Sequence, residues 1–472
     1  MLIENVKVPA MDVPYSLPAS GFTRNVQLRL EDTVSVKDYG AKGDGVTDDT
    51  AALQAAAAAA LSGKTVHFPV GVYCTRLPLN FTRPVNLVGD VGARIRLTEG
   101  SHPYVIQLDF RTEDLGYWSY GAYLSNLIID GDGHAADGIS LRGVISSQFD
   151  NLRATNVTRA GMHCWWTQLC IYTNFTCSRN VEAFTTTPQH GILIDYEAGT
   201  PNKRGTSADT FISPCIEHTS EAGIEATFCS NSVFINGTSE GCKHGMAFGY
   251  DASDLGQVAV TNTVLGMDME VNSGGDLLMR KTATGNLFLG CQCGFESPSS
   301  QIQGASHNRW VGGSSSGFDF YNDATGNKVE GTILFGTDPV LVDNAKLNDW
   351  EKLYRINTGN YTTSTHPVNS RTQYAGAGTV VIDPLRSNLA TVNLTSTNVV
   401  INAQDTARDG MRMDVIIYNN AGADATIGWG SLFRISGFTT LSAGRQRGVS
   451  FVWDQNFGAW YCVGLAPEAV IY

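Results

Sequence analysis

The sequence predicts an all-β protein: a solenoid of stacked parallel β-coils, closed at its N-terminal end by one helix and followed by an antiparallel β-sandwich. Three observations carry this. A Gly-rich turn leads into a single alanine-rich helical run and then into short β-branched pieces. From there to about residue 343, short strand-like units closed by Gly, Asn or Asp recur without a helical period, as stacked coils require. Beyond residue 373, apolar and polar residues alternate between turn signals such as Asn419-Asn-Ala-Gly422, which suits a small sandwich.

The entrance reads Val36-Lys-Asp-Tyr-Gly-Ala-Lys-Gly-Asp-Gly-Val-Thr-Asp-Asp-Thr50 and runs into Ala51 to Leu61. Thr47 and Asp48 offer side-chain oxygens to cap a helix start, and Asp49 suits the positive end of the helix dipole. The helix stops at Ser62-Gly63, and Thr65-Val-His-Phe-Pro-Val-Gly-Val-Tyr73 returns to strand chemistry. The repeating units can be laid beside one another: Tyr172 to Asn180, Thr210 to Glu217, Val233 to Glu240 and Thr263 to Glu270, most followed by a Gly-apolar pair such as Gly191-Ile192 or Gly223-Ile224. Phe211 to Phe234 and Glu217 to Glu240 are each 23 residues apart, one coil. Asn and Thr near turns are expected to ladder between coils, with apolar residues filling the cylinder.

The order and spacing of the Gly-Asp-Gly-x-Thr-Asp-Asp helix start and the following strands resemble the pectate-lyase-superfamily right-handed parallel β-helix of bacteriophage tailspikes and polysaccharide depolymerases. The C-terminal stretch Val449 to Tyr461 resembles tailspike and fibre end modules more loosely. The resemblance implies an attachment or linker segment at residues 1–34, a β-helix that binds and cleaves glycan at 35–343, a connector at 344–372, and a trimerisation or carbohydrate-binding-like sandwich at 373–472. It also implies a homotrimer in a virion tail, assembled in the host cytoplasm and acting outside the cell. A phage baseplate or tail protein would hold the N-terminus, and bacterial capsule or lipopolysaccharide O-antigen would be the substrate.

Composition limits the partners. Charged residues make up only 16 % of the chain and the net charge is −13, which argues against nucleic acid and disfavours a densely anionic glycan. No apolar run approaches the ~18 residues of a membrane span, and the N-terminus lacks a basic region followed by an apolar one. Six Asn-x-Ser/Thr sequons (Asn80, Asn156, Asn174, Asn236, Asn360, Asn393) read as the chance product of a strand-rich chain full of Asn and Thr. The 10 cysteines show no Cys-x-x-Cys and no zinc spacing, so free buried thiols are expected, with no metal and no cofactor. Asp130-Gly-Asp-Gly133 has a calcium-like look but departs from the EF-hand pattern.

Coils stack at about 4.8 Å per step. Carboxylates on neighbouring coils therefore come within reach of the ~5 Å spacing of a retaining glycosidase, and diagonal pairs reach the ~6.5–9.5 Å of an inverting one. Glu217 and Glu240 end two aligned units and are the leading catalytic pair, with Asp268 and Glu270 on one alternation face and Asp195 and Glu197 on another as substitutes. Crowded carboxylates raise at least one pKa and supply the protonated acid that cleavage requires. The alternative, β-elimination from a uronic acid, needs a base and a cation. His190, Tyr196, Arg204, His218, Lys243 and His244 are its candidates, and also candidate substrate-binding residues with the sugar-stacking aromatics Trp166 and Trp310. Trp165 and Trp166 should point to opposite sides. A third reading is a receptor-binding fibre without catalysis. No Gly-x-Ser-x-Gly elbow supports an esterase.

Overall fold

The computed structural model describes residues 14–16, 23–25, 33–61, 63–111, 119–179, 185–196, 205–251, 258–294, 297–321, 324–335, 340–343, 348–351, 353–357, 360–364, 371–382, 384, 389–404 and 411–470. The chain divides into two compact units, Met1–Arg309 with Gly313–Ala324, and Trp310–Gly312 with Thr325–Tyr472.

The first unit is a parallel β-helix with three sheets. One coil shows the plan. Ile171–Thr173 lies in the first sheet, Thr176–Ser178 in the second, and His190–Ile194 and Thr206–Ser207 in the third, before Thr210–Ile212 starts the next coil. Each strand pairs in parallel with its counterpart one coil away, so Tyr172 sits over Phe211 and Phe211 over Phe234. These inward rings stack: Phe149–Tyr172, Tyr172–Phe211 and Phe211–Phe234 have centroids 5.0, 4.4 and 4.8 Å apart, with planes within 10° of parallel. Each ring buries well over a hundred square ångströms of apolar surface and locks the register of its strand.

The turns explain the recurring Asn. Between the first and second sheets successive coils pass a left-handed residue, Asn126, Asn151, Asn174, Ser213, Asn236, Gly266 and Gly290, with φ between +49° and +65°, and Gly237 follows Asn236 at φ +92°. Asn tolerates this region better than other residues with a Cβ, and Gly freely. The sequons at Asn174 and Asn236 thus have a backbone reason, as does Asn156 at the next corner (φ +54°). The expected ladder is present: Asn262 Nδ2 donates to Asn286 Oδ1 and Asn286 Nδ2 to Asn308 Oδ1, each at 2.9 Å. The Gly-apolar pairs mark a different constraint. A Cβ on Gly161 would lie 2.8 Å from the Gly191 carbonyl, and one on Gly191 2.2 Å from Ile216, so only glycine fits where the second sheet turns into the third.

The helix spans Thr50–Leu61 and buries Leu53, Ala56, Ala57 and Ala60. Its cap differs in detail from expectation. Asp48 Oδ1 accepts from the Thr50 amide at 3.0 Å, but the Thr47 hydroxyl turns back to Asp44. The buried Asp49 carboxylate accepts from the Lys42 and Gly43 amides at 2.6 and 3.0 Å. Asp49 therefore ties the Gly-rich turn to the helix entrance. Asp130 accepts from Arg94 Nη1 (2.8 Å), Arg96 Nε (3.1 Å), Asn156 and the Asp132 amide, so the calcium-like turn is closed by protein donors. The ten cysteines are free thiols, and all but Cys215 and Cys462 are buried. Among the described residues no helix is long and apolar enough to cross a membrane.

In the second unit, Lys328–Glu330 pairs in parallel with Asp349–Glu351, and Ile333–Phe335 with Leu353–Asn357. Asn360–Ser364 then turns back antiparallel on Leu353–Asn357. A nine-stranded sheet follows, wrapped on a core that includes Phe433, Phe451, Trp453 and Trp460. The expected C-terminal β unit is there, but its sheet is mixed rather than purely antiparallel. The long strand Leu389–Ala403 runs parallel to Arg371–Ile382, to Arg412–Asn419 and to Ala425–Trp429, because each neighbour starts again at the same end. Antiparallel pairing enters with Arg445–Asp454.

Burial raises two interior carboxyls, Asp209 and Asp276, to about 7. A raised folded-state pKa means the native form keeps its proton after the unfolded chain has lost it, so this stability is full below the unfolded pKa and is lost as pH rises toward 7. The melting temperature is expected to fall by on the order of 5 °C between pH 5 and pH 8, and Asp209→Asn to flatten that slope. Calorimetry across this range checks it; a slope unchanged in the variant contradicts the assignment.

Candidate active site

The second sheet carries a row of acidic side chains on its outer face. The inward residues Cys177, Ile216, Ser239, Met269 and Cys293 are buried, so the residues on either side of them point outward. In register, Ser178 lies next to Glu217 and Glu217 next to Glu240. On the following rung Asp268 lies over Thr238, and Glu270 comes two residues later, its carbonyl accepting from the Gly241 amide at 3.1 Å. The structure thus brings Glu217, Glu240, Asp268 and Glu270 onto three successive rungs of one face.

Their environments differ. Glu217 is 9 % exposed and takes a short hydrogen bond from the buried Ser178 hydroxyl. Glu240 takes one from Thr238, its neighbour two residues back. Glu270 accepts from Gln292 Nε2 at 2.5 Å. Asp268 has no comparable donor: its Oδ1 is buried and unpartnered. Partial burial, with the negative charges of Glu270 and Glu240, lifts its carboxyl to about 6. The row therefore holds one carboxyl inclined to keep a proton beside others supplied with donors, a division that suits acid–base work on a glycosidic bond.

Of the remaining predicted residues that the structure describes, most lie away from this row. Asp195 follows the third-sheet strand His190–Ile194, and its carboxylate accepts from the Tyr196 amide and the Thr227 hydroxyl at 2.7 and 2.8 Å. Its expected partner Glu197 lies outside the described residues, as does Arg204. Lys243 pairs with Glu221 at 2.8 Å rather than with Glu240. His190 and His244 direct Nδ1 at the carbonyls of Ala222 and Gly275 (3.1 and 3.2 Å), and burial lowers both pKa values. Tyr196 packs edge-on against Phe228. Trp310 is only 3 % exposed, so it is core rather than a sugar platform. His218 sits at the left-handed corner after Glu217, its ring 3.3 Å from where a Cβ on Gly241 would lie, and is the one member of the base-and-cation set beside the acidic row among the described residues. Of the five that the structure describes, His190 and His244 share another corner, where His190 Nδ1 meets the Ala222 carbonyl and Ala222 pairs with His244.

Sequence reasoning missed the partners Ser178, Thr238 and Gln292. Ser178 was legible, since it holds the place of Glu217 in the preceding unit. Also missed was a cluster on the third sheet. The buried Asp137 accepts from Arg159 Nε and Nη2 (2.8 and 2.5 Å), and its Oδ2 lies 3.0 Å from His163 Nδ1. The His163 ring stacks on Trp165 at 4.0 Å, with the Arg142 guanidinium 4.7 Å from the indole centre. The expected alternation of Trp165 and Trp166 fails here because the pairing shifts register around Arg142, which pairs with Trp166; both tryptophans are half-buried. Such a bulge re-aims side chains.

The comparisons agree with this architecture. Residues 33–296 match the family model described as rhamnogalacturonase A/epimerase, pectate lyase-like. The mannuronan C5-epimerase AlgE5 of Azotobacter vinelandii is 63 % identical over 41 residues, a stretch that is 8 % of this chain and only 4 % of the epimerase. Among solved structures, the tailspike of Escherichia coli bacteriophage HK620, a mutant in complex with a hexasaccharide, superposes with a TM-score of 0.57 at 13 % identity, covering 98 % of this chain and 96 % of its own. The gp42 tailspike of Acinetobacter phage vb_AbaP_AS12 gives 0.51 at 13 % identity, covering 93 % and 82 %. At these identities the likeness is one of fold.

The Asp137 cluster makes its own prediction. Asp137→Ala leaves Arg159 and the buried His163 without their shared anion, and is expected to destabilise the first unit by on the order of 3 kcal/mol. Urea unfolding followed by tryptophan fluorescence checks this; a loss below about 1 kcal/mol, the range of exposed pairs, contradicts it.

Proposed function

The chain belongs to the rhamnogalacturonase A/epimerase, pectate lyase-like family, and on that footing we propose that it is a phage tailspike depolymerase hydrolysing bacterial surface polysaccharide, capsule or O-antigen. The observation that carries the reading is the in-register carboxylate row on the second sheet, with Glu217 facing Glu240 and Asp268 on the next rung. Asp268 protonates the leaving glycosidic oxygen, because burial and the neighbouring Glu270 and Glu240 hold its proton to about pH 6. Glu240 activates water, and Glu217, fixed by Ser178, completes the row on the adjoining rung. Tailspikes with this fold supply the remainder of the proposal: a homotrimer in the virion tail, held through its N-terminus by another tail protein.

Hydrolysis is favoured over β-elimination because the carboxylates converge in register on one face. The test is incubation with a panel of capsular and O-antigen polysaccharides, following chain length, reducing ends and ultraviolet absorbance. Shortened, saturated chains with new reducing ends are expected. Absorbing unsaturated products would replace hydrolysis with elimination, and binding without shortening would make the protein a receptor-binding fibre.

On the polymer that is cleaved, Asp268→Asn and Glu240→Gln should each lower kcat by roughly 10²–10⁴-fold with little change in KM. The rate should fall on the alkaline side with an apparent pKa near 6. Glu270→Gln removes a charge that raises Asp268, so this limb should move to lower pH. A limb that stays in place separates Asp268 from the proton-transfer role.

A further inference from the structure

Two outward columns run along the second sheet. One holds Thr176, Cys215, Thr238, Asp268 and Gln292, each in register with the next. The other holds Ser178, Glu217 and Glu240, with Glu270 following on the Asp268 rung and Gly294 on the Gln292 rung. Asp268 thus lies between Thr238 and Gln292, two side chains that carry donors, yet neither donor is spent on it. The Thr238 hydroxyl turns to Glu240, and Gln292 Nε2 reaches diagonally to Glu270 Oε1 at 2.5 Å. Asp268 Oδ1 stays buried and unpartnered between them.

Glu270 is held from a second direction. A Cβ on Gly294 would lie 2.9, 3.0 and 3.1 Å from Cβ, Cγ and Cα of Glu270, so the glutamate rests directly on the glycine backbone. Gly294 is not in the left-handed region, and its lack of a side chain supplies space rather than a turn. Its amide is anchored, donating to the Met269 carbonyl at 2.8 Å and to Asp276 Oδ2 at 3.0 Å. Asp276 is fully buried and also accepts from Asn272 Nδ2 and Ser297 Oγ at 2.7 and 2.5 Å. A glutamate on an outer face gains rotamer freedom by swinging into water; the amide of Gln292 and the fixed backbone of Gly294 oppose that swing.

Among the described residues, the charges that bear on Asp268 are Glu240 from the preceding rung and Glu270 from its own, while the following rung brings Gln292 and Gly294, which do not titrate. Partial burial does most to keep the proton on Asp268, the charge of Glu270 comes next and that of Glu240 last. We propose that Gln292 and Gly294 are positioning residues: together they pin the Glu270 carboxylate beside Asp268 and so make Asp268 the acid of the row. The catalytic consequence rests on the hydrolase reading above; the pinning does not.

Carbon-13 NMR titration of the carboxyl-labelled full chain, free of glycan, tests it. Gln292→Met removes the donor at an exposed position and is expected to keep the wild-type circular dichroism spectrum; Gly294→Ala sets a methyl group against Glu270. Each should lower the Asp268 midpoint by on the order of one pH unit, the effect of moving a like charge away. Thr176→Ala, three rungs away on the same face, should leave it in place. A midpoint that holds or rises in Gln292→Met overturns the proposal, whether or not Gly294→Ala folds. On a polymer that is cleaved, the alkaline limb of the rate in Gln292→Met should move to lower pH in step with the titration. A titration that moves while the limb stays, or a protein that cleaves nothing, defeats the hydrolase reading and leaves the pinning standing.

Discussion

Everything distinctive in the first unit depends on one constraint: parallel strands stacked without slipping, so that a residue lies directly over its counterpart one coil away. The near-parallel rings from Phe149 to Phe234 and the Asn262–Asn286–Asn308 ladder both enforce that register and exist because of it. A slip of one residue would send each ring outward and each outward side chain into the cylinder. The helix Thr50–Leu61 and the tied Gly-rich turn close the end of the stack, where the first rung would otherwise expose an unpaired strand edge.

The same register determines where chemistry can occur. Residues far apart in sequence become neighbours at strand spacing, so Glu217, Glu240 and Asp268 need no loop to bring them together. What separates their environments is the supply of donors. Glu217 and Glu240 each have a hydroxyl from the rung or strand beside them, while Asp268 has a buried, unpartnered oxygen and two acidic neighbours. Each sheet of the same coils presents its own outward columns, and the second presents the acidic one.

Much of this was legible in the sequence. The entrance helix was legible in its capping residues and alanine run, and the coil repeat and the adjacency of Glu217 with Glu240 follow from a 23-residue spacing combined with strand alternation. The mixed C-terminal sheet was not legible, because alternation identifies strands but not the direction of their neighbours. Trp310 misled because an aromatic in a strand reads equally as core or platform; only its parity within the coil assigns it inward. Lys243 misled because sequence proximity to Glu240 says nothing about direction across a left-handed corner. The Asp137–His163–Arg159 cluster left no periodic signal, since its members are not in register with one another: Asp137 pairs with Ala160, and His163 with Ser140.

The central claim is that register crowds carboxylates on the second sheet until one keeps its proton. Carbon-13 NMR of carboxyl-labelled protein, titrated from pH 3 to 8, tests it most directly. The account predicts one side-chain carboxyl titrating near 6 that disappears in Asp268→Asn, distinct from the interior pair near 7. Titration of Asp268 in the ordinary range near 4 would contradict it and leave the row a solvated face.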